Sequence, residues 1–137
     1  MTAMTAIADA LKDIVSASFD TVAFATGDTP EQLAPGKVLP PGIRPPCVLI
    51  MPGEGICTDS TLTRRRLFHL VLVDMLKSGG DTRAKAIWTK FDALLELFPA
   101  EGTQSGEVVF LPESSRMLEC ADGRAAACLT IAAVFPS

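Results

Sequence analysis

The sequence is poor in the residues that most site chemistry needs. It has one histidine, His69, and its four cysteines stand far apart at Cys47, Cys57, Cys120 and Cys128. No C-x-x-C pair and no second histidine set two ligands a few residues apart, so the spacing of a zinc site is missing. There is no G-x-S-x-G elbow, and no cysteine has the histidine context of a nucleophile. Met51-Pro-Gly-Glu-Gly55 is glycine-rich but lacks the G-K-[S/T] ending of a phosphate loop, so it reads as a plain turn. Basic excess is also absent: 12 Lys and Arg against 16 Asp and Glu give a net charge of −4, which excludes the basic footprint of a dedicated nucleic-acid binder. The longest apolar stretches, Leu67 to Met75 and Ala125 to Phe135, fall short of the roughly 18–20 residues of a membrane-spanning helix. Met1 to Ser16 has no basic n-region and carries Asp9, Lys12 and Asp13, so a secretory signal is not expected and no export context supports a disulfide.

Apolar residues, by contrast, are plentiful. They make up 48% of the 137 residues, with a mean hydropathy of +0.33, which rules out a disordered chain and fits one domain. Met4, Ile7, Ala8, Leu11, Ile14 and Val15 share one face at helical spacing, predicting an amphipathic helix from Thr5 to Ala17. A short strand is expected within Phe19 to Thr26. Gly27 to Pro46 holds six prolines and three glycines, so it can be neither an interior strand nor a long helix. Cys47 to Met51 reads as a strand. Thr61 to Met75 reads as another, roughly 50 Å long at about 3.3 Å per residue, so its polar first half is expected to project as a hairpin arm. Asp81 can cap a helix running to Phe98, with Ala84, Ile87, Trp88, Phe91, Leu94, Leu95 and Phe98 as its core stripe and Pro99 as its stop. Strands follow at Glu107 to Leu111, Ser115 to Cys120 and Ala125 to Phe135, the last two joined at Ala121-Asp122-Gly123.

That order predicts an α+β domain with a mainly antiparallel sheet of about four strands, two helices on one face, and a projecting hairpin or long loop. A sheet with one wet face alternates apolar and polar residues. The two central strands here do not: Leu67, Val71 and Val73 point one way, and Phe68, Leu70 and Leu72 the other. The second face therefore needs a cover, from the proline-rich segment, from a neighbouring subunit, or from both. The residues expected to make such contacts are Phe68, Leu70 and Leu72 on the sheet, Pro40, Pro41, Ile43 and Arg44 in the loop, and Arg64, Arg65 and Arg66 on the arm. The three arginines alternate faces along a strand and have no aromatic among them, so they form no single-strand-binding patch. They are either a solvated, salt-bridging arm or the contact with an acidic partner. His69 lies between apolar neighbours with no acid–base constellation, and reads as a structural or interface residue. No catalytic residue, cofactor or metal is expected.

Thr29-Pro-Glu-Gln-Leu33, followed by Val38-Leu-Pro-Pro-Gly-Ile-Arg-Pro-Pro-Cys-Val-Leu-Ile-Met-Pro-Gly-Glu54, resembles the early segment of bacteriophage tail terminator and tail-completion (neck) proteins. Leu67-Phe-His-Leu-Val-Leu-Val-Asp-Met75, the turn and helix after it, and the final strand from Gly123 to Phe135 resemble that family as well. The resemblance is one of pattern and element order over most of the chain. It implies a virion protein assembled in the host cytoplasm: a subunit of a ring, typically hexameric, that caps the tail tube of a long-tailed phage, halts its growth and meets the head connector. It implies the tube protein, connector proteins and further copies of the chain as partners, no membrane, and DNA passing through without sequence-specific binding. A neck or head-closure adaptor fits the same pattern. From a different class, a small intracellular α+β enzyme or ligand-binding domain would place a pocket beneath the proline-rich loop.

Overall fold

A computed structural model describes residues 4–25, 39, 41–53, 63–75, 81–118 and 124–136 of the chain. Helix α1 (Met4–Ser16) opens the fold and buries Ile7, Leu11 and Val15, one side chain per turn on one stripe. Strand β1 (Val22–Phe24) follows, then β2 (Cys47–Pro52), β3 (Thr63–Met75) and helix α2 (Asp81–Glu96). The chain closes with β4 (Thr103–Ser105), β5 (Val108–Leu118) and β6 (Arg124–Pro136). The order of strands across the sheet is β1-β2-β3-β6-β5-β4. All neighbours are antiparallel except β1 and β2, so the class is α+β and the sheet is mixed, with six strands rather than four.

Two of those strands escape a reading by pattern. Thr103-Gln-Ser105 has no apolar periodicity and is a strand only because it pairs with Val108–Phe110. The two short strands expected on either side of Pro112 are one strand. β4 reaches only to Phe110, so the proline's missing N–H falls beyond that ladder, where it is tolerated. The β5–β6 register shifts between Pro112 and Ser114 to take up the irregularity.

Both helices pack on one face. Ile7, Leu11 and Val15 from α1 and Ile87, Phe91 and Leu94 from α2, with Phe98 just beyond it, meet Val48, Ile50, Phe68, Leu70, Leu72, Leu129 and Ile131 in a single core. This corrects one expectation directly. Phe68, Leu70 and Leu72 are 2%, 0% and 0% exposed beneath the helices, so they are core residues and not contact residues. The opposite set of β3 turns to the second face. Pattern alone could not choose between the sets, because both are apolar.

The second face is also largely closed within the chain. Cys47, Leu49, Met51, Val71, Val73, Leu118, Ala126 and Cys128 are all buried, with Ala23, Leu39 and Ile43 packed against them. Leu39 and Ile43 belong to the proline-rich segment, so that segment supplies part of the cover. Pro40, residues 26–38 and the expected turn at 121–123 lie outside the described residues.

The arm is corrected too. β3 pairs with β6 without a break from Thr63↔Pro136 to Met75↔Arg124, so Thr63 to Arg66 are ladder residues in a sheet that is simply long. Residues 54–62 of the expected arm lie outside the described residues. At the near end Gly53 donates its N–H to the Leu67 carbonyl at 2.7 Å, and a Cβ on Gly53 would stand 2.7 Å from the Leu67 Cβ. Only glycine lets the strands approach so closely there.

Candidate interaction surfaces

The expected contact residues do not gather into one site. Arg64 and Arg66 share the side of β3 that carries Phe68, while Arg65 faces the other way and pairs with Glu113 across β6. All three arginines are half-buried, which matches the salt-bridging reading for Arg65 better than a fully solvated arm. Ile43 is half-buried over the second-face core, and Pro41 and Arg44 are exposed nearby in sequence.

Arg44 lines a sizeable cavity. It has a volume of about 570 Å³ and lies between the α1–β1 connection, the cis Pro45-Pro46 segment and α2. Phe19 and Asp20 line one side, and Thr89, Lys90 and Ala93 the other. Lys90 is committed downward: its Nζ stands 2.5 Å from the Oδ2 of Asp74, the buried carboxylate of β3. The volume suits a small molecule. The charges around it are mixed, with Arg44 and Lys90 against Asp20 and Asp74.

His69 is not part of that cavity. It sits on the opposite face of the sheet, with Nδ1 2.9 Å from Thr130 Oγ1 and 3.9 Å from Cys128 Sγ. Cys128 itself is 1% exposed and fills space as a small hydrophobe. The cavity and the histidine therefore cannot converge on one reacting group. Among the described residues no cluster of three His, Cys, Asp or Glu side chains could hold a metal ion, and no helix is long and apolar enough to cross a membrane.

Exposed apolar side chains mark surfaces that the pattern reading missed. Met4, Phe24, Trp88 and Met117 are 41%, 41%, 52% and 48% exposed. Trp88 was expected in the core stripe of α2. It follows the buried Ile87 by one position, and one residue turns a helix by about 100°, which carries it off the stripe to the flank. Phe24 is on the edge strand β1, and Met117 is on the outer part of β5. The rotation of Trp88 away from Ile87, Phe91, Leu94 and Phe98 is visible in the sequence; the edge position of Phe24 is not.

No protein-family model matches the chain, and no curated protein matches it. A solved structure of a protein known by an identifier alone is similar at a TM-score of 0.47 and 20% identity, over 97% of this chain and 92% of that one. That likeness is too loose to bear on function.

Proposed function

We propose that this chain is a structural subunit of a ring at the end of a bacteriophage tail, capping the tube and meeting the head connector. The observation that carries the reading is the exposure of four large apolar side chains, Met4, Phe24, Trp88 and Met117, on a domain whose sheet faces are otherwise well buried. Aromatic and methionine side chains of this kind are enriched where one protein contacts another. The sequence resemblance to tail terminator and neck proteins names the kind of assembly. The net charge of −4 suits a channel through which DNA slides.

In this reading the subunit acts by shape. One side of the closed ring matches the tube end, and the other accepts no further tube ring. The test is polymerisation of the tail-tube protein of the same phage in the presence of the purified chain, with lengths measured by electron microscopy. The reading expects shorter, blunt tubes as the chain is added. Unchanged lengths with no chain at the tube ends would overturn it and leave the neck-adaptor form, which binds connector and not tube.

The cavity beside Arg44 favours a second reading, a small ligand-binding domain. A metabolite that raises the melting temperature of the wild-type chain, but not of Arg44→Ala, would select it.

A further inference from the structure

We propose that copies of this chain join head to tail, the α1–β1 flank of one against the α2–β5 flank of the next. The inference rests on the ring reading and names its joint.

Among the described residues, the four exposed large apolar side chains fall into two pairs at opposite ends of the sheet. The first pair is on the β1 side. Val22 packs on the helix-side core, and Phe24, two residues on, faces the same way from the edge strand. The Lys12 Nζ stands 5.3 Å from the centre of the Phe24 ring, which places that flank of α1 beside it. Met4, Ala8 and Lys12 follow one another at four-residue intervals, so Met4 lies along the same flank.

The second pair is on the β5 side. Met117 pairs with Ala127, whose side chain is in the helix-side core, so Met117 also faces the helix layer. Lys90 and Ala93 line the cavity shared with Ser18 and Phe19, so that flank of α2 looks toward α1. Trp88 lies on the far flank, about 160° around the helix from Lys90, counted from buried Ile87 at about 100° per residue. It therefore looks outward over β5.

Two unlike patches on opposite flanks point to one kind of partner. A two-fold dimer made through either patch would bury that patch and leave the other wet. A head-to-tail contact buries both on every copy, and closes into a ring if the rotation closes. The charges complement each other in the same sense. The cation Lys12 stands among the first patch, and Asp92 and Glu96 follow Trp88 at four and eight residues, both exposed. Asp9 and Asp13, exposed on α1, find the opposite sign in Lys85, exposed one turn before Trp88. Lys12 already sits over one aromatic ring, and a neighbour's Trp88 offers it a stronger one.

The experiment uses two full-length variants, Phe24→Glu and Trp88→Glu, with native mass spectrometry of each alone and of their equimolar mixture. Met117→Glu and Met4→Glu repeat it at the second residue of each flank, and far-ultraviolet circular dichroism confirms folding. Each variant alone is expected to fall to the 14.5 kDa of a single chain. The mixture is expected to form a one-to-one dimer and nothing larger, since each partner keeps one sound flank. A homodimer of either variant alone would overturn the head-to-tail joint in favour of a two-fold one. Assemblies of wild-type size from both flank variants would overturn the joint while leaving the ring reading standing. A wild-type chain that stays single at high concentration would overturn the ring reading, and this joint with it.

Discussion

Lys90 Nζ and Asp74 Oδ2 stand 2.5 Å apart, pinning α2 to the sheet through the buried carboxylate of β3. The Asp74 side chain is 12% exposed and that of Lys90 38%, so the pair is shielded on one side only. Removing the lysine takes one partner from a mostly buried charge. Lys90→Met is expected to lower stability by about 1–3 kcal/mol, less than for a fully buried pair because water reaches the ammonium. Adding Asp74→Asn to it should lose less than the two single changes together, as urea melts of the three variants would reveal.

Phe68 distinguishes a core role from a contact role. It is 2% exposed beneath the helices. Phe68→Ala is expected to cost about 3–5 kcal/mol in the folding of the single chain. A change in assembly mass at unaltered unfolding midpoint would return Phe68 to the surface.

Gly102 and Gly106 separate strain from crowding. Both have positive φ, +93° and +59°. A Cβ at Gly102 would lie 2.7 Å from Leu111 Cδ2 and from Val109 Cγ1, whereas one at Gly106 meets open space. Gly106→Ala is expected to cost about 1–2 kcal/mol, the strain of the left-handed backbone alone. Gly102→Ala should cost about 1–3 kcal/mol more, because the α2–β4 connection or the Val109 and Leu111 side chains of β5 must shift to admit the methyl group. Equal unfolding midpoints for the two variants would remove crowding from the account.

The Arg65–Glu113 pair is half exposed on both sides, 38% and 35%. Arg65→Gln is therefore expected to lower stability by at most about 1 kcal/mol, with the difference shrinking as salt is raised. A larger, salt-independent loss would mean that the guanidinium is held by more than this ion pair.

Much of the fold was legible because the strongest patterns are local. The α2 stripe of Ile87, Phe91, Leu94 and Phe98 needs nothing outside itself to be recognised, and Pro99 marks its end. The α+β class followed from element order. What stayed hidden depends on partners distant in sequence. β4 is a strand only through Val108–Phe110, and β5 runs through Pro112 because β4 stops short of it. The parallel β1–β2 pair joins strands separated by residues 25–46, and no local pattern announces such a pairing. The face covered by helices could not be chosen, because Phe68, Leu70 and Leu72 are as apolar as Leu67, Val71 and Val73. Phe68, Leu70 and Leu72 were read as contact residues for the same reason, and it is they that turned inward.

The most direct test of the account is the mass of the wild-type chain in solution, by sedimentation velocity across a wide range of concentrations, with the fluorescence of the single tryptophan recorded alongside. A closed ring predicts one discrete multiple of the 14.5 kDa chain, six by the resemblance, and a blue shift of Trp88 emission as the ring forms. A single-chain mass at the highest concentration, with Trp88 emission unchanged, would contradict it.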